Sequence, residues 1–255
     1  RTADFHLSPW GKGENRSESA LDQKTNWMGL PAIRRRLKEA NTPDVAELWY
    51  RSAMDDAAAG NPLSERIVAL YERHARDWDR DRGRDLFEKP WLDRFIALLP
   101  RGASILDIGC GSAEPIGRYL IEQGFRLTGV DSSPTLIALC RARFPEQSWA
   151  VADMRTLALD QPFDALIAWD SFFHLSHAHQ RRMFPIFRRH AAPGAALLFT
   201  SGPTHGEAIG SYRGEPLYHA SLSEAEYRAL LAANGFAVVR HMAEDADCGG
   251  HTVWL

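Results

Sequence analysis

The stretch Ile105-Leu106-Asp107-Ile108-Gly109-Cys110-Gly111-Ser112-Ala113 constrains most strongly what this 255-residue chain can fold into. Ile105, Leu106 and Ile108 are apolar β-formers of the kind that fill a strand covered on both faces of a parallel sheet. Gly109 and Gly111 then allow a tight turn and let the backbone approach a ligand with no Cβ in the way. A strand that runs into such a turn and on into a helix places a nucleotide-like ligand at the carboxyl end of the first strand of a doubly wound sheet.

The neighbouring residues narrow the ligand. A dinucleotide fingerprint, G-x-G-x-x-G, sets a pyrophosphate on the helix N-terminus. Here the third glycine position is Glu114, whose carboxylate repels a pyrophosphate. Asp107 in the turn and Glu114 at the helix start suit a ligand with a positive end instead. A second strand, over 125–130, leads to Asp131, a carboxylate at the strand tip placed to accept both hydroxyls of a ribose. A ribose, a cationic amino-acid end and no phosphates describe S-adenosylmethionine.

With these residues the chain resembles the class I S-adenosylmethionine-dependent methyltransferases, from about Tyr71 to the C-terminus. The family's first motif is matched by Leu106-Asp107-Ile108-Gly109-Cys110-Gly111 and its ribose-binding acid by Asp131. The adenine motif is matched by Ala152-Asp153-Met154, after the strand Ser148-Trp149-Ala150-Val151. The fourth motif is matched by Phe163-Asp164-Ala165-Leu166-Ile167-Ala168-Trp169-Asp170. Four motifs in the right order and spacing specify far more than any one alone. The resemblance implies an α/β Rossmann-like fold, a doubly wound, mostly parallel seven-stranded sheet closed by an antiparallel edge hairpin from 236–242 and 250–255. It implies S-adenosyl-L-methionine as cofactor and S-adenosyl-L-homocysteine as product. Asp107, Gly109, Gly111, Asp131, Ser132, Asp153, Met154 and Trp169 are the implied cofactor contacts. Small-molecule members often place a tyrosine over the cofactor as a lid, which would be Tyr71; otherwise Tyr71 and Trp78 belong to the core.

Composition excludes several classes. A net charge of −3 leaves no basic footprint for nucleic acid. No apolar run is long enough to cross a bilayer, and no signal-peptide pattern is visible. Cys110, Cys140 and Cys248 form no C-x-x-C pair, which favours a reducing, cytoplasmic setting over disulfides or a zinc site. Among histidines, His174, His177 and His179 lie close together, but Ser176 reads as an N-cap that puts the latter two on the exposed first turn of a helix, so no metal site is expected.

The chain divides into an extended arm over 1–28, where Trp10 and Trp27 are available to pin it, a helical lid segment over 29–100, and the cofactor-binding domain over 101–255. Helices are expected over 32–40 and 44–59, over 62–78 from Pro62, and over 91–99. Arg34, Arg35, Arg36 and Lys38 form one basic turn that reads as a solvated face. From Ile105 onward strand and helix alternate, as a parallel sheet requires. One insertion, over 201–220, is too long and aromatic for an ordinary αβ loop. It follows a strand's carboxyl end, on the cofactor edge, and reads as part of the substrate pocket.

Methyl transfer from a sulfonium is an in-line displacement, so the protein must mainly orient the acceptor and exclude water. A base is needed only when the acceptor carries a proton that must leave. His174, just past the fourth strand, is the leading candidate, with an ordinary pKa near 6.5; its alternative role is to pack or cap the next helix. Asp170, Phe173, His205, Glu207, Tyr218 and His219 are the candidate substrate contacts; Asp170 is alternatively a contact to the cofactor's amino group, or a turn cap. Trp169-Asp170-Ser171-Phe172 is not the Asn/Asp-Pro-Pro-aromatic run of nucleic-acid amine methyltransferases, and no cysteine follows a proline. The expected function is methylation of a small molecule by a monomer or homodimer. The alternatives are a protein or RNA methyltransferase and a non-catalytic cofactor-binding module.

Overall fold

Parallel strands covered on both faces organise residues 61–255, the part of the chain that the computed structural model describes. The arm over 1–28, the helices expected over 32–40 and 44–59, Trp10, Trp27 and the basic turn at Arg34 lie outside the described residues. In chain order come α1 (Pro62–Arg73), α2 (Ala75–Asp81), α3 (Lys89–Ile96), β1 (Ser104–Ile108), α4 (Ile116–Glu122), β2 (Arg126–Asp131), α5 (Pro134–Arg143), β3 (Ser148–Val151) and β4 (Phe163–Ala168). They are followed by α6 (His177–His190), β5 (Ala191–Ser201), β6 (Gly206–Tyr212), β7 (Glu215–Ser221), α7 (Glu224–Ala233), β8 (His241–Asp245) and β9 (His251–Trp254).

Seven of these strands form one sheet in the order β3-β2-β1-β4-β5-β9-β8. The pairs among β1 to β5 are parallel, and β9 runs antiparallel to β5 and β8. The order therefore reverses at β1, with β2 on one side and β4 on the other, which opens a crevice at the carboxyl ends of these strands. The sheet is doubly wound because its side chains alternate between two apolar layers. Ile105 and Ile167 meet Trp91, Phe95, Leu120 and Ile137 from α3, α4 and α5. Leu106, Ile108 and Leu166 meet Met183, Phe184, Phe187 and Tyr227 from α6 and α7. Asp164 fixes the start of the β1–β4 pair, accepting the Ser104 N–H and hydroxyl, each at 2.8 Å.

Three expectations need correction. The helix expected over 62–78 is two helices that break at His74, whose Nε2 turns to Glu215 Oε1 at 2.7 Å. The edge strand expected over 236–242 begins only at His241, because the N–H groups of Val239 and Arg240 are taken by the Leu255 carbonyl. The insertion is not a pocket loop but a two-stranded sheet of its own, β6–β7. Its buried Tyr212, Leu217 and Tyr218 form a third apolar cluster with Ile67, Leu70 and Trp78 of α1 and α2. Ion pairs of Arg73 with Glu215 and of Arg213 with Asp81 border the same contact. The hairpin and the first two helices thus make one cap, set over the crevice.

Candidate functional site

The loop after β1 is built by its glycines. Gly109 and Gly111 take φ of 79° and 56°, where a side chain is strained. A Cβ on Gly109 would lie 2.3 Å from Ser171 Cβ, and Ser171 Oγ is in turn bonded to the Ile108 carbonyl at 2.7 Å. Gly109→Ala is therefore expected to cost at least about 2 kcal/mol of stability through backbone strain and overpacking. A denaturant melt checks this; a midpoint equal to wild type would mean that the loop does not hold this conformation.

Asp131, at the end of β2, closes the loop. Its carboxylate accepts the Gly111 N–H at 3.0 Å and the Ser133 N–H at 2.8 Å. Burial pushes its carboxyl up to about 6, and burial with the nearby Asp131 charge pushes Asp107 up to about 7. Helix α1 reaches this corner through Glu72, which accepts from the Ser133 and Thr135 hydroxyls and so latches the cap to the first turn of α5.

The crevice under the cap is a cavity lined in part by Gly109, Gly111, Asp131, Ser132, Asp153, Met154, Asp170, His174 and Tyr71. A smaller adjoining cavity is lined by Arg82, Asp107, the glycine loop, Glu114, Trp169 and Asp170. All nine residues expected to contact a cofactor line one cavity or the other. Two polar atoms at their junction are buried without a partner, Asp170 Oδ2 and Trp169 Nε1. Such atoms are costly unless a ligand satisfies them. Glu114 differs from expectation: Arg118 neutralises it through an i,i+4 pair at 2.5 Å, so its repulsion of a pyrophosphate is weaker than the bare sequence implies. Asp153 is not a free acceptor either, since Arg155 clasps both its oxygens at 2.7–3.0 Å.

His174 lies in a short turn, Phe172–His174, and is buried. Its Nδ1 is 2.8 Å from the Tyr218 carbonyl and its Nε2 is 2.8 Å from Tyr71 Oη. A carbonyl only accepts, so Nδ1 carries the proton and Nε2 presents its lone pair to the tyrosine hydroxyl. Burial pulls His174 down to about 4, well below its ordinary value, while Asp170 and the Tyr218 carbonyl oppose that fall only in part. Burial likewise raises the Tyr71 hydroxyl, which stays protonated.

The insertion residues stand behind this pair and not in the cavity. Tyr218 is buried and donates its hydroxyl to Glu207 at 2.7 Å, while its carbonyl orients His174. His219 packs beside His174, ring centroids 4.7 Å apart, and Phe173 lies against both. His205 and Glu207 are exposed, and His205 stacks on His177 at 4.6 Å. Ser176 does cap α6, but His177 and His179 are half-buried where exposure was expected; His177 faces the Gly206 and Ser221 carbonyls, and His179 lines the larger cavity. Among the described residues, no group of His, Cys, Asp and Glu is arranged to hold a metal ion, and no helix is long and apolar enough to cross a membrane.

Sequence reasoning missed Arg82, Glu72 and His251. Arg82 lines the smaller cavity and pairs with the buried Glu88. His251 pairs with Asp170, Nε2 to Oδ1 at 2.9 Å. One signal was available for His251: a strand antiparallel to β5 begins at the end where the parallel strands finish, so its first residue falls beside the crevice.

Residues 105–194 match the methyltransferase domain family. The chain is 27% identical over 132 residues to dTDP-4-amino-2,3,4,6-tetradeoxy-D-glucose N,N-dimethyltransferase of Saccharopolyspora spinosa, covering 51% of this chain and 50% of that protein. It is 32% identical over 102 residues to trans-aconitate 2-methyltransferase of Azoarcus sp. (strain BH72), covering 39% of each. The chain spans about half the length of the curated relatives it matches. Among solved structures, the DhpI–SAH complex superposes with a TM-score of 0.60 at 20% identity, over 75% of this chain and 95% of that one. That likeness is one of fold.

Proposed function

We propose that this chain, whose residues 105–194 match the methyltransferase domain family, is a class I methyltransferase that transfers a methyl group from S-adenosylmethionine to a small-molecule nitrogen or oxygen that gives up a proton. The observation that carries the reading is the joining, in one cavity, of the ribose-type acid Asp131 to the Tyr71–His174 pair.

The fit to S-adenosylmethionine rests on this chain's own groups. Asp131 offers a carboxylate for the ribose, and Asp153 and Met154 stand where the adenine would lie. The partnerless Asp170 Oδ2 and Trp169 Nε1, with Asp107 and Arg82 nearby, suit a zwitterionic amino-acid end. The cofactor, when bound, supplies the electrophilic methyl group of a sulfonium.

The protein's remaining task is to place the acceptor, keep out water and take the proton. Ile67, Val68 and Tyr71 of α1 and Trp78 of α2 wall the crevice, which supports a small acceptor over a protein or RNA. Tyr71 and His174 both line the cavity, and Tyr71 Oη is hydrogen-bonded to His174 Nε2, so the acceptor's proton passes to Tyr71 oxygen as the Tyr71 proton passes to His174 Nε2. His174 is a weak base, which suits an oxygen or a weakly basic nitrogen, whose conjugate acid is strong once methylated; an alkylammonium, with a pKa of about 10, would not give it a proton. Phe173, Tyr218 and His219 hold His174 and act on the acceptor only through it. Three free, buried cysteines support a cytoplasmic setting.

The test is cofactor consumption with a fractionated metabolite extract, read by mass spectrometry. The expected result is S-adenosylhomocysteine formed in step with a product heavier by one methylene. Tight cofactor binding with no turnover across the extract would favour the non-catalytic module. Methyl incorporation only into protein or RNA fractions would overturn the small-molecule assignment.

A further inference from the structure

His251, the first residue of β9, faces two acceptors at once. Its Nε2 lies 2.9 Å from Asp170 Oδ1, and its Nδ1 lies 2.7 Å from the Cys248 carbonyl oxygen. An ionised carboxylate and a carbonyl can only accept, so both ring nitrogens must donate. A ring that donates twice is an imidazolium. The surroundings are built for that charge. The ring stacks against Phe87, centroids 5.5 Å apart, and leans on Trp169 at 5.7 Å, two aromatic faces that favour a cation. Burial works against the charge, but Asp170, the Cys248 carbonyl and Glu88 outweigh it and hold His251 up to about 9.

The backbone is bent to make this contact. Asp170 sits in the left-handed region at φ 48°, with its N–H donated to Thr200 Oγ1 at 2.9 Å. Gly249 turns the chain at φ 63°, and a Cβ there would press to 3.3 Å on both His251 Nδ1 and Phe87. The result is asymmetric use of one carboxylate. Oδ1 is committed to His251, while Oδ2 is buried with no partner, on a residue that lines both cavities. Arg82 pairs with one oxygen of Glu88, whose Oε2 is also buried without a partner but lines neither cavity; Glu114 is paired with Arg118, and Asp107 lines only the smaller cavity. Asp170 Oδ2 is thus the partnerless carboxylate oxygen on a residue that lines both cavities, and it calls for a cationic donor.

We propose that His251 is a positioning residue for cofactor recognition: its imidazolium keeps Asp170 ionised and turned so that Oδ2 receives the ammonium group of the cofactor's amino-acid end. This rests on the reading of the crevice as an S-adenosylmethionine site. It assigns the last strand of the chain a part in ligand selection, and it separates recognition of the amino-acid end from recognition of the adenosine.

The experiment compares two ligands by calorimetry on the purified chain. S-adenosylhomocysteine carries the amino-acid end; 5′-methylthioadenosine shares the adenosine and the sulfur but lacks it. Wild type is expected to bind the first much more tightly. His251→Phe and Asp170→Asn are each expected to weaken S-adenosylhomocysteine at least about tenfold, the scale of one charged hydrogen bond, with 5′-methylthioadenosine within about twofold. Equal losses for both ligands would show a merely structural role and overturn the proposal, as would an unchanged affinity for S-adenosylhomocysteine. Wild type that binds neither ligand would overturn the site reading itself, a result distinct from both. A measurement without substitution guards against variants that fail to fold. Nitrogen-15 NMR of the wild-type ring near neutral pH is expected to show both nitrogens protonated, and a neutral tautomer would overturn the proposal.

Discussion

His174→Ala is expected to lower kcat by about 10²–10⁴-fold, the usual contribution of a general base, with S-adenosylhomocysteine affinity within about twofold of wild type. The same substitution strips the Tyr218 carbonyl of its donor, so His174→Asn is the sharper variant. Its amide can still donate to that carbonyl but offers no basic nitrogen, and it should be as slow as the alanine. Tyr71→Phe should fall with it, because the hydroxyl is hydrogen-bonded to Nε2 at 2.8 Å. The pH profile separates this from a packing role. His174 must be neutral to act, and burial has drawn it down to about 4. The low-pH limb of kcat should therefore appear only as pH falls toward about 4, and not near the ordinary imidazole value of about 6.5. A loss of less than about threefold in both variants would reduce His174 to packing.

Asp131→Ala is expected to cost on the order of 2–4 kcal/mol of cofactor affinity, roughly thirtyfold to nearly a thousandfold, because several charge-assisted hydrogen bonds are lost together. The carboxylate would serve the ribose, and it already holds the Gly111 and Ser133 N–H groups that shape the loop. Its titration adds a second expectation. Burial raises Asp131 to about 6 and Asp107 to about 7. A carboxyl raised in the folded state adds stability that is full below its unfolded pKa, near 4, and is lost as pH rises through the folded value. At neutral pH the ligand-free protein thus carries two costly buried carboxylates that a cationic ligand relieves. Affinity for S-adenosylmethionine should rise between pH 5 and 8, by up to about tenfold per unit for each group that must ionise. Calorimetry across that range is the check. Equal affinity for wild type and Asp131→Ala would mean that the ribose is held elsewhere.

The cofactor side of the site was legible because its residues are local in sequence. A parallel strand, a turn that only glycine tolerates and an acid at the next strand tip are each set by neighbours a few positions away. Each then recurs at the same edge of the sheet because right-handed crossovers leave it no other place. The proton-transfer side was only half legible. His174 could be named from its place after β4, but the sequence-based expectation of an ordinary imidazole pKa failed. Burial comes from Phe173 and His219, and the latter lies 45 residues further along the chain. The insertion residues were placed in the pocket on the segment's length, its aromatic composition and its position after a strand's carboxyl end. Hydrogen bonding put Tyr218 and His219 behind His174 instead, while His205 and Glu207 stayed exposed.

The sequence by itself determined the alternation of strand and helix, the glycine turn after β1 and the carboxylates around the crevice, because period, turn chemistry and strand-tip position are one-dimensional signals. Only the tertiary structure decided which groups share a proton or a charge. Tyr71 meets His174 across 103 residues, Glu72 caps α5 from the lid, and His251 returns on the antiparallel strand to Asp170. The physical reason is range: a hydrogen bond is made or lost within a few tenths of an ångström, and pairing between distant segments is fixed only when the packed sheet and its cap bring them to that distance.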